Sequence, residues 1–207
     1  MNWLSRLRNR SADSAAAHEF EGLMRQHVPA LYRSAYRWTG NVERAEDLVQ
    51  ELLLRLFPLL EDLRKLEQVR PWAMRVMYRI FVDQLRRERS SPVQFGDSLI
   101  SGMDGEEEPG MIDTNADPEL LAHREFLKER IIHAWARLPT EHRVVLSMHD
   151  VEGYTLADIS NMTDIAVGTV KSRLHRARTK LRDLLAGREP AGIHTWEDDE
   201  SHGRRRP

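Results

Sequence analysis

The chain has 207 residues, room for one or two domains. Its 31 Lys+Arg stand against 33 Asp+Glu for a net charge of −2, and 41% of its residues are hydrophobic, enough for a core. It has no cysteine, which excludes a disulfide scaffold, a thiol nucleophile and a Cys-ligated zinc site. Apolar runs such as Leu52-Leu53-Leu54 are too short to cross a membrane. The start carries Arg6, Arg8 and Arg10 but no apolar segment of a secretory signal. The expectation is a soluble protein of a reducing compartment.

Residues 1–18 read as an N-terminal extension. Phe20, Leu23, Met24, His27, Leu31 and Ala35 then recur at helical spacing and predict a first helix. Ala45, Leu48, Val49, Leu52, Leu56 and Phe57 predict a second, stopped by Pro58. Trp72, Val76, Met77, Ile80 and Leu85 predict a third, with Pro71 in its first turn and Pro92 just past its end. No alternating strand pattern of useful length occurs.

Periodicity stops over 91–117, where Pro92, Gly96, Gly102, Gly105, Pro109 and Gly110 sit among acids. That composition predicts a flexible acidic linker. Asp117-Pro118 reads as a cap followed by a helix-starting proline, and Leu120, Leu127, Ile131, Ala134, Trp135 and Leu138 continue the helix. Pro139-Thr140 breaks it, and Val144, Val145 and Met148 mark a short helix ending near Asp150. Residues 187–207 are polar and aperiodic, the pattern of a disordered tail. The fold class expected is all-α, with small helical domains over 19–90 and 118–186 joined by the acidic linker at 91–117.

The stretch from Gly153 to Ala186 predicts a helix-turn-helix. Thr155 and Asp158 form a capping-box variant, Leu156 and Ile159 face inward, and Thr163-Asp164 makes the turn. Val170, Leu174, Ala177, Leu181 and Leu184 form the apolar stripe of a longer second helix. Lys171, Ser172, His175 and Arg176 lie off that stripe in the early turns, where a recognition helix meets a major groove. Arg178, Lys180 and Arg182 lie further along, placed for phosphates. An ordinary basic amphipathic helix packed on its neighbours is the structural alternative.

Charge supports the nucleic-acid reading. Over 70–89 there are six bases and two acids, +4. Over 90–125 there are nine acids and one base, −8. Over 167–188 there are seven bases and one acid, +6. Two basic segments thus flank an acidic one, a pattern that points to a polyanion partner.

Leu138-Pro139, Val145-Leu146, Gly153-Tyr154, Ile159 and the run Val167 to Arg178 resemble the −35-reading domain of ECF (extracytoplasmic function) sigma factors of bacterial RNA polymerase. Leu31-Tyr32-Arg33, Ala45 to Glu51, Trp72 and Asp83 to Arg87 resemble that family's −10-reading domain. The resemblance implies a cytoplasmic initiation subunit without cofactor or metal. It would bind core polymerase through the clamp helices of the largest subunit and the flap of the second-largest, engage promoter DNA, and be held by an anti-sigma factor.

By position, the resemblance assigns Asp47, Leu48, Gln50 and Glu51 to core polymerase, although Asp47 and Glu51 equally suit a solvated face. Melted −10 DNA would meet the loop Glu61 to Pro71 and the helix after it, through Arg64, Lys65, Arg70, Trp72, Arg75, Arg79, Arg86 and Arg87. Trp72 also fits a core position, and Arg79 stands where many family members carry Asn. The −35 duplex would meet Thr155, Lys171, Ser172, Arg173, His175, Arg176 and Arg178, with Thr155 equally able to act as a cap alone.

Two other readings compete. A stand-alone helix-turn-helix regulator shares the second domain but does not need the helix around Glu46 to Glu51. An enzyme is conceivable from His142 and His149, two helical turns apart with Asp150 adjacent, but no HExxH, phosphate loop or catalytic triad accompanies them.

Overall fold

Residues 14–90 and 118–188 are described by the structure, a computed structural model of the chain. Where one helix is predicted around Phe20 to Ala35, two form, α1 (Ser14–Arg25) and α2 (Val28–Thr39). Pro29 decides the break. In an unbroken helix it would clash with the preceding turn and leave a carbonyl unbonded, but in the first turn of α2 its missing N–H is harmless. The joint is tight, with His27 N donating to Met24 O at 2.9 Å and Leu31 N donating to His27 O at 3.0 Å. Phe20, Met24, Leu31 and Ala35 still face one core, so the apolar period continues across it.

Gly40 closes α2 in the left-handed region (φ 69°), a conformation glycine adopts without strain. Asn41 opens α3 (Val42–Leu56) by accepting from Arg44 N at 2.9 Å. As predicted, α3 stops before Pro58, and a 3-10 turn (Phe57–Leu59) leads into α4 (Leu60–Leu63). The long α5 (Val69–Ser90) carries Pro71 in its first turn. Trp38 anchors this first unit, edge-on to Tyr78 at 6.2 Å and tilted against Phe81 at 5.6 Å.

The second unit begins with α6 (Pro118–Ala136), whose first residue is the predicted proline. Ala134 and Leu138 are buried, whereas Leu127 and Ile131 are exposed, so the inner stripe of α6 is shorter than its periodicity predicts. α7 (Thr140–Leu146) runs into a π turn (Ser147–Val151), in which Glu152 N donates to Ser147 O at 2.9 Å. α8 (Leu156–Thr163) and α9 (Val167–Leu185) complete the unit. Leu174 and Ala177 of the predicted α9 stripe pack with Leu138, Val145 and Leu146, and Leu181 and Leu184 lie against them.

Among the described residues every element is helical, the all-α class the sequence predicts. The acidic linker at 91–117, the first thirteen residues, the cap Asp117 and the tail from 189 onward lie outside the described residues. The two units do not stand apart as a tether alone would leave them. α7 and the π turn rest on α2, and α8 rests on α5. Val144, Met148, Ile159, Met162 and Val170 join Leu31, Leu52 and Met77 in one continuous apolar cluster.

Candidate nucleic-acid interface

The helix-turn-helix is built by local chemistry. Thr155 Oγ1 accepts from Asp158 N at 3.1 Å while Thr155 N donates to Asp158 Oδ2 at 3.0 Å, a reciprocal capping box that starts α8. The Thr155 hydroxyl also donates to Asp158 Oδ2 at 2.6 Å, and that bond first, with the one from Thr155 N, holds the Asp158 carboxyl below its ordinary pKa. Asp164 makes the turn in the left-handed region (φ 58°), which Asp tolerates better than most residues. Ser160 Oγ donates to Ile165 O at 2.6 Å and ties the turn back onto α8.

The short turn fixes the face that α9 presents. Val170, Leu174 and Ala177 are buried, which leaves Lys171, Ser172, His175 and Arg176 together on the exposed side of the first turns. Thr155 is exposed at the start of α8. Two other residues assigned to the −35 duplex carry protein partners. Arg173 is half-buried and lies 3.2 Å from Glu141, and Arg178 binds Asp150 through two nitrogens. The hydrogen bond from Arg178 lowers the Asp150 pKa.

The residues assigned to −10 DNA fall into three groups. Trp72, Arg75 and Arg79 share one face of α5, with Arg75 and Arg79 reaching Asp164 at 3.4 and 3.1 Å. Arg70, one turn earlier, binds Glu152. Trp72 is half-buried and packs on the core, as its place in the apolar period suggests. Arg64 and Lys65 form a second group around α4, where Arg64 binds Glu19 and Glu61 and Lys65 lies 3.4 Å from Asp62. Arg86 and Arg87 form the third, near the end of α5, beside Asp83 and Glu51.

On α3, Asp47 is exposed and Gln50 and Glu51 are half-buried. Glu51 accepts from Gln84 Nε2 at 2.8 Å and pairs with Arg55. Leu48 needs a correction: at 0% exposure it belongs to the core and seats α3, so it presents no surface to a partner.

Four residues of the contact between the units, Ser34, Arg37, Trp135 and Glu152, escape the sequence reading of the site, because contacts more than 80 residues apart in sequence leave no periodic trace. Glu152, its side chain 4% exposed, accepts from Ser34 Oγ at 2.7 Å and Arg37 Nη1 at 2.9 Å and also binds Arg70. Trp135 Nε1 donates to Arg37 O at 3.0 Å, a further link between the units. His149 Nδ1 lies 3.2 Å from Asp150 Oδ1, but among the described residues no group of three or more His, Cys, Asp or Glu could hold a metal ion.

The family model described as Sigma-70 region 2 matches residues 23–91, and the one described as Sigma-70, region 4 matches residues 128–181. The ECF RNA polymerase sigma factor SigL of Mycobacterium tuberculosis is 34% identical over 175 residues, which cover 84% of this chain and 93% of that one. The chain belongs to the ECF sigma factors.

SigW of Bacillus subtilis is a more distant relative, 28% identical over 156 residues that cover 75% of this chain and 82% of SigW. SigE of Mycolicibacterium smegmatis is 32% identical over 181 residues, and the match spans 65% of its length. Among solved structures, the sigma factor RpoE of Bartonella quintana, crystallised with the anti-sigma factor NepR, shares the fold. Its TM-score is 0.60 at 24% identity over 81% of this chain and 96% of RpoE. The α1–α5 unit thus corresponds to sigma region 2 and the α6–α9 unit to region 4. A stand-alone regulator gives way to this reading, because the first unit is itself a sigma region and not a sensor. Sigma factors are transcription initiation factors rather than enzymes, and among the described residues no helix is long and apolar enough to cross a membrane.

Proposed function

We propose that this ECF sigma factor directs a cytoplasmic core polymerase to its promoters through three separate surfaces. Asp47, Gln50 and Glu51 on α3 meet the clamp helices of the largest subunit. Lys171, Ser172, His175 and Arg176 on α9 read the −35 duplex, where Lys or Arg donates to guanine O6 and N7. Arg75 and Arg79, with Trp72 behind them, hold the backbone of the melted −10 strand, and the loop before α5 receives a flipped base. The flap of the second-largest subunit supports region 4. An anti-sigma factor restrains the chain, as NepR partners RpoE. The acidic segment 91–117 links the two readers. No step of phosphodiester chemistry belongs to this chain.

The observation that supports the reading most is the exposed cluster Lys171, Ser172, His175 and Arg176 on one face of α9, whose opposite face is buried through Val170, Leu174 and Ala177. Run-off transcription with core polymerase and a mixed promoter library tests it. A discrete set of promoter-dependent transcripts absent with core alone is expected. Arg176→Ala should cost about 1–3 kcal/mol of discrimination at one −35 base pair while core binding persists. A library transcribed no better than by core alone would overturn the reading.

A further inference from the structure

Four arginines of the first unit, Arg37, Arg70, Arg75 and Arg79, are met by two acids of the second, Glu152 and Asp164. The two ends of this contact differ. Asp164 is exposed, and its pairs are long. Glu152 is almost wholly enclosed, with Ser34, Arg37 and Arg70 converging on its carboxylate. A carboxylate so removed from water requires this density of donors.

The donors, however, are not all used. Arg70 Nε is buried and has no hydrogen-bond partner, although Arg70 Nη2 binds Glu152. The Glu152 carboxylate thus leaves one donor of Arg70 unpaired. A phosphodiester carries the same single charge on two non-bridging oxygens, set tetrahedrally about phosphorus and further apart than those of a carboxylate, and matches a cluster of arginine and hydroxyl donors. Beside the receptor lies a cleft of about 550 Å³ bordered by His27, Leu66, Val69, Pro71 and Tyr154. The cleft is open to solvent, its volume is within the range of small-ligand sites, and its walls mix apolar and polar groups, the acid Glu67 among them. Glu152 and Tyr154 are the second unit's contributions to that border.

We propose that Ser34, Arg37 and Arg70 form a receptor for one backbone phosphate of single-stranded DNA, and that Glu152 occupies it when the two units are closed. The inference deepens the proposed −10 function and rests on it for the identity of the strand. Glu152 acts as an internal stand-in for the phosphate, and Asp164 does the same more loosely for Arg75 and Arg79. Strand and second unit compete for the same cations, so the chain must open before the strand can bind. Apparent affinity is then reduced by the fraction of molecules that is closed. Removing the Glu152 charge leaves Arg37 and Arg70 facing an uncharged group in a dry site, and separation of the units lets water relieve them.

Because the chain has no cysteine, two introduced ones carry spin labels at chosen sites only. Asp62→Cys on α4 and Asn161→Cys on α8, both exposed, report the distance between the units in the full chain. The wild-type background should give one narrow distance. Glu152→Gln, nearly isosteric, should add a longer, broad population and tighten binding of a fluorescein-labelled single-stranded DNA 20-mer about tenfold. Arg37→Gln should also open the chain, yet bind the 20-mer at least about tenfold more weakly than Glu152→Gln does. Asp164→Asn, which keeps a residue suited to the left-handed turn, should open the chain part-way and tighten binding by a smaller factor.

An unchanged distance in folded Glu152→Gln and Asp164→Asn, with folding judged by circular dichroism, would overturn the closure. Opening with no gain in DNA binding, or equal binding by Arg37→Gln and Glu152→Gln, would overturn the phosphate receptor. Neither readout uses polymerase. Promoter-dependent transcripts with unaltered distances would sink the inference alone, whereas altered distances and DNA binding without transcripts would sink the sigma reading alone.

Discussion

The Arg178 guanidinium on α9 grips the Asp150 carboxylate of the π turn, its Nε 2.9 Å from Oδ2. The pairing lowers the Asp150 pKa and raises that of Arg178 through their shared hydrogen bonds. A DNA phosphate that meets Arg178 must share it with this acid.

Asp150→Asn keeps the shape and removes the charge. Because the pair is partly exposed, stability should change by no more than about 1 kcal/mol. Affinity for a −35 duplex should rise, and the plot of log K against log salt should steepen by about one unit as Arg178 turns fully to phosphate. An unchanged salt slope would place Arg178 away from the DNA backbone.

Two neighbours on α3 should respond differently. Leu48→Ala opens a cavity in the core and should cost about 2–5 kcal/mol in chemical denaturation. Asp47→Ala, at an exposed position, should stay within about 0.5 kcal/mol of the parent while weakening capture by core polymerase. Equal polymerase binding by Asp47→Ala and the parent would remove Asp47 from that surface.

Thr155→Ala removes the acceptor for Asp158 N and should destabilise the protein by about 1 kcal/mol, lowering its melting temperature by a few degrees. Thr155→Ser retains the hydroxyl and should melt like the parent. If the serine variant melts as low as the alanine variant, the threonine methyl matters and the cap does not.

Burial lowers the pKa values of His27 and His142 from 6.5, with Arg70 adding to the effect at His27. The unfolded chain therefore binds more protons than the folded one between those lowered values and 6.5. Folding stability should be full above about pH 7.5 and decline as pH falls through 6.5. Scanning calorimetry at pH 7.5 and 5.5 should show the lower transition at 5.5, with a smaller drop in His142→Gln. A transition that stays level or rises on acidification would contradict the assignment.

Local chemistry was legible in the sequence. Pro58 and Pro71 mark the end of α3 and the first turn of α5, and Thr155 and Asp158 announce α8. The α9 stripe is legible because burial on one side imposes a 3.6-residue period. The joint at His27 was missed because the apolar period of Phe20 to Ala35 runs through it unchanged, leaving Pro29 as the only signal. Leu48 was misassigned because a motif position does not separate a surface residue from the one that seats it. The Glu152 contacts were hidden for another reason. They join residues 82 and 115 positions apart, and one acid between two basic segments gives no hint of where it points.

The π turn at Ser147–Val151 is an α-helix carrying one additional residue. Asp150 and Glu152 flank the end of that insertion and serve opposite neighbours, one binding α9 and the other binding α2 and α5. Deleting Val151 would restore an ordinary helical turn and rotate all that follows by about 100°. Each acid would survive such a deletion, yet they could no longer serve both neighbours at once. Val151 itself is half exposed and can be exchanged; a change of length at that point cannot be absorbed.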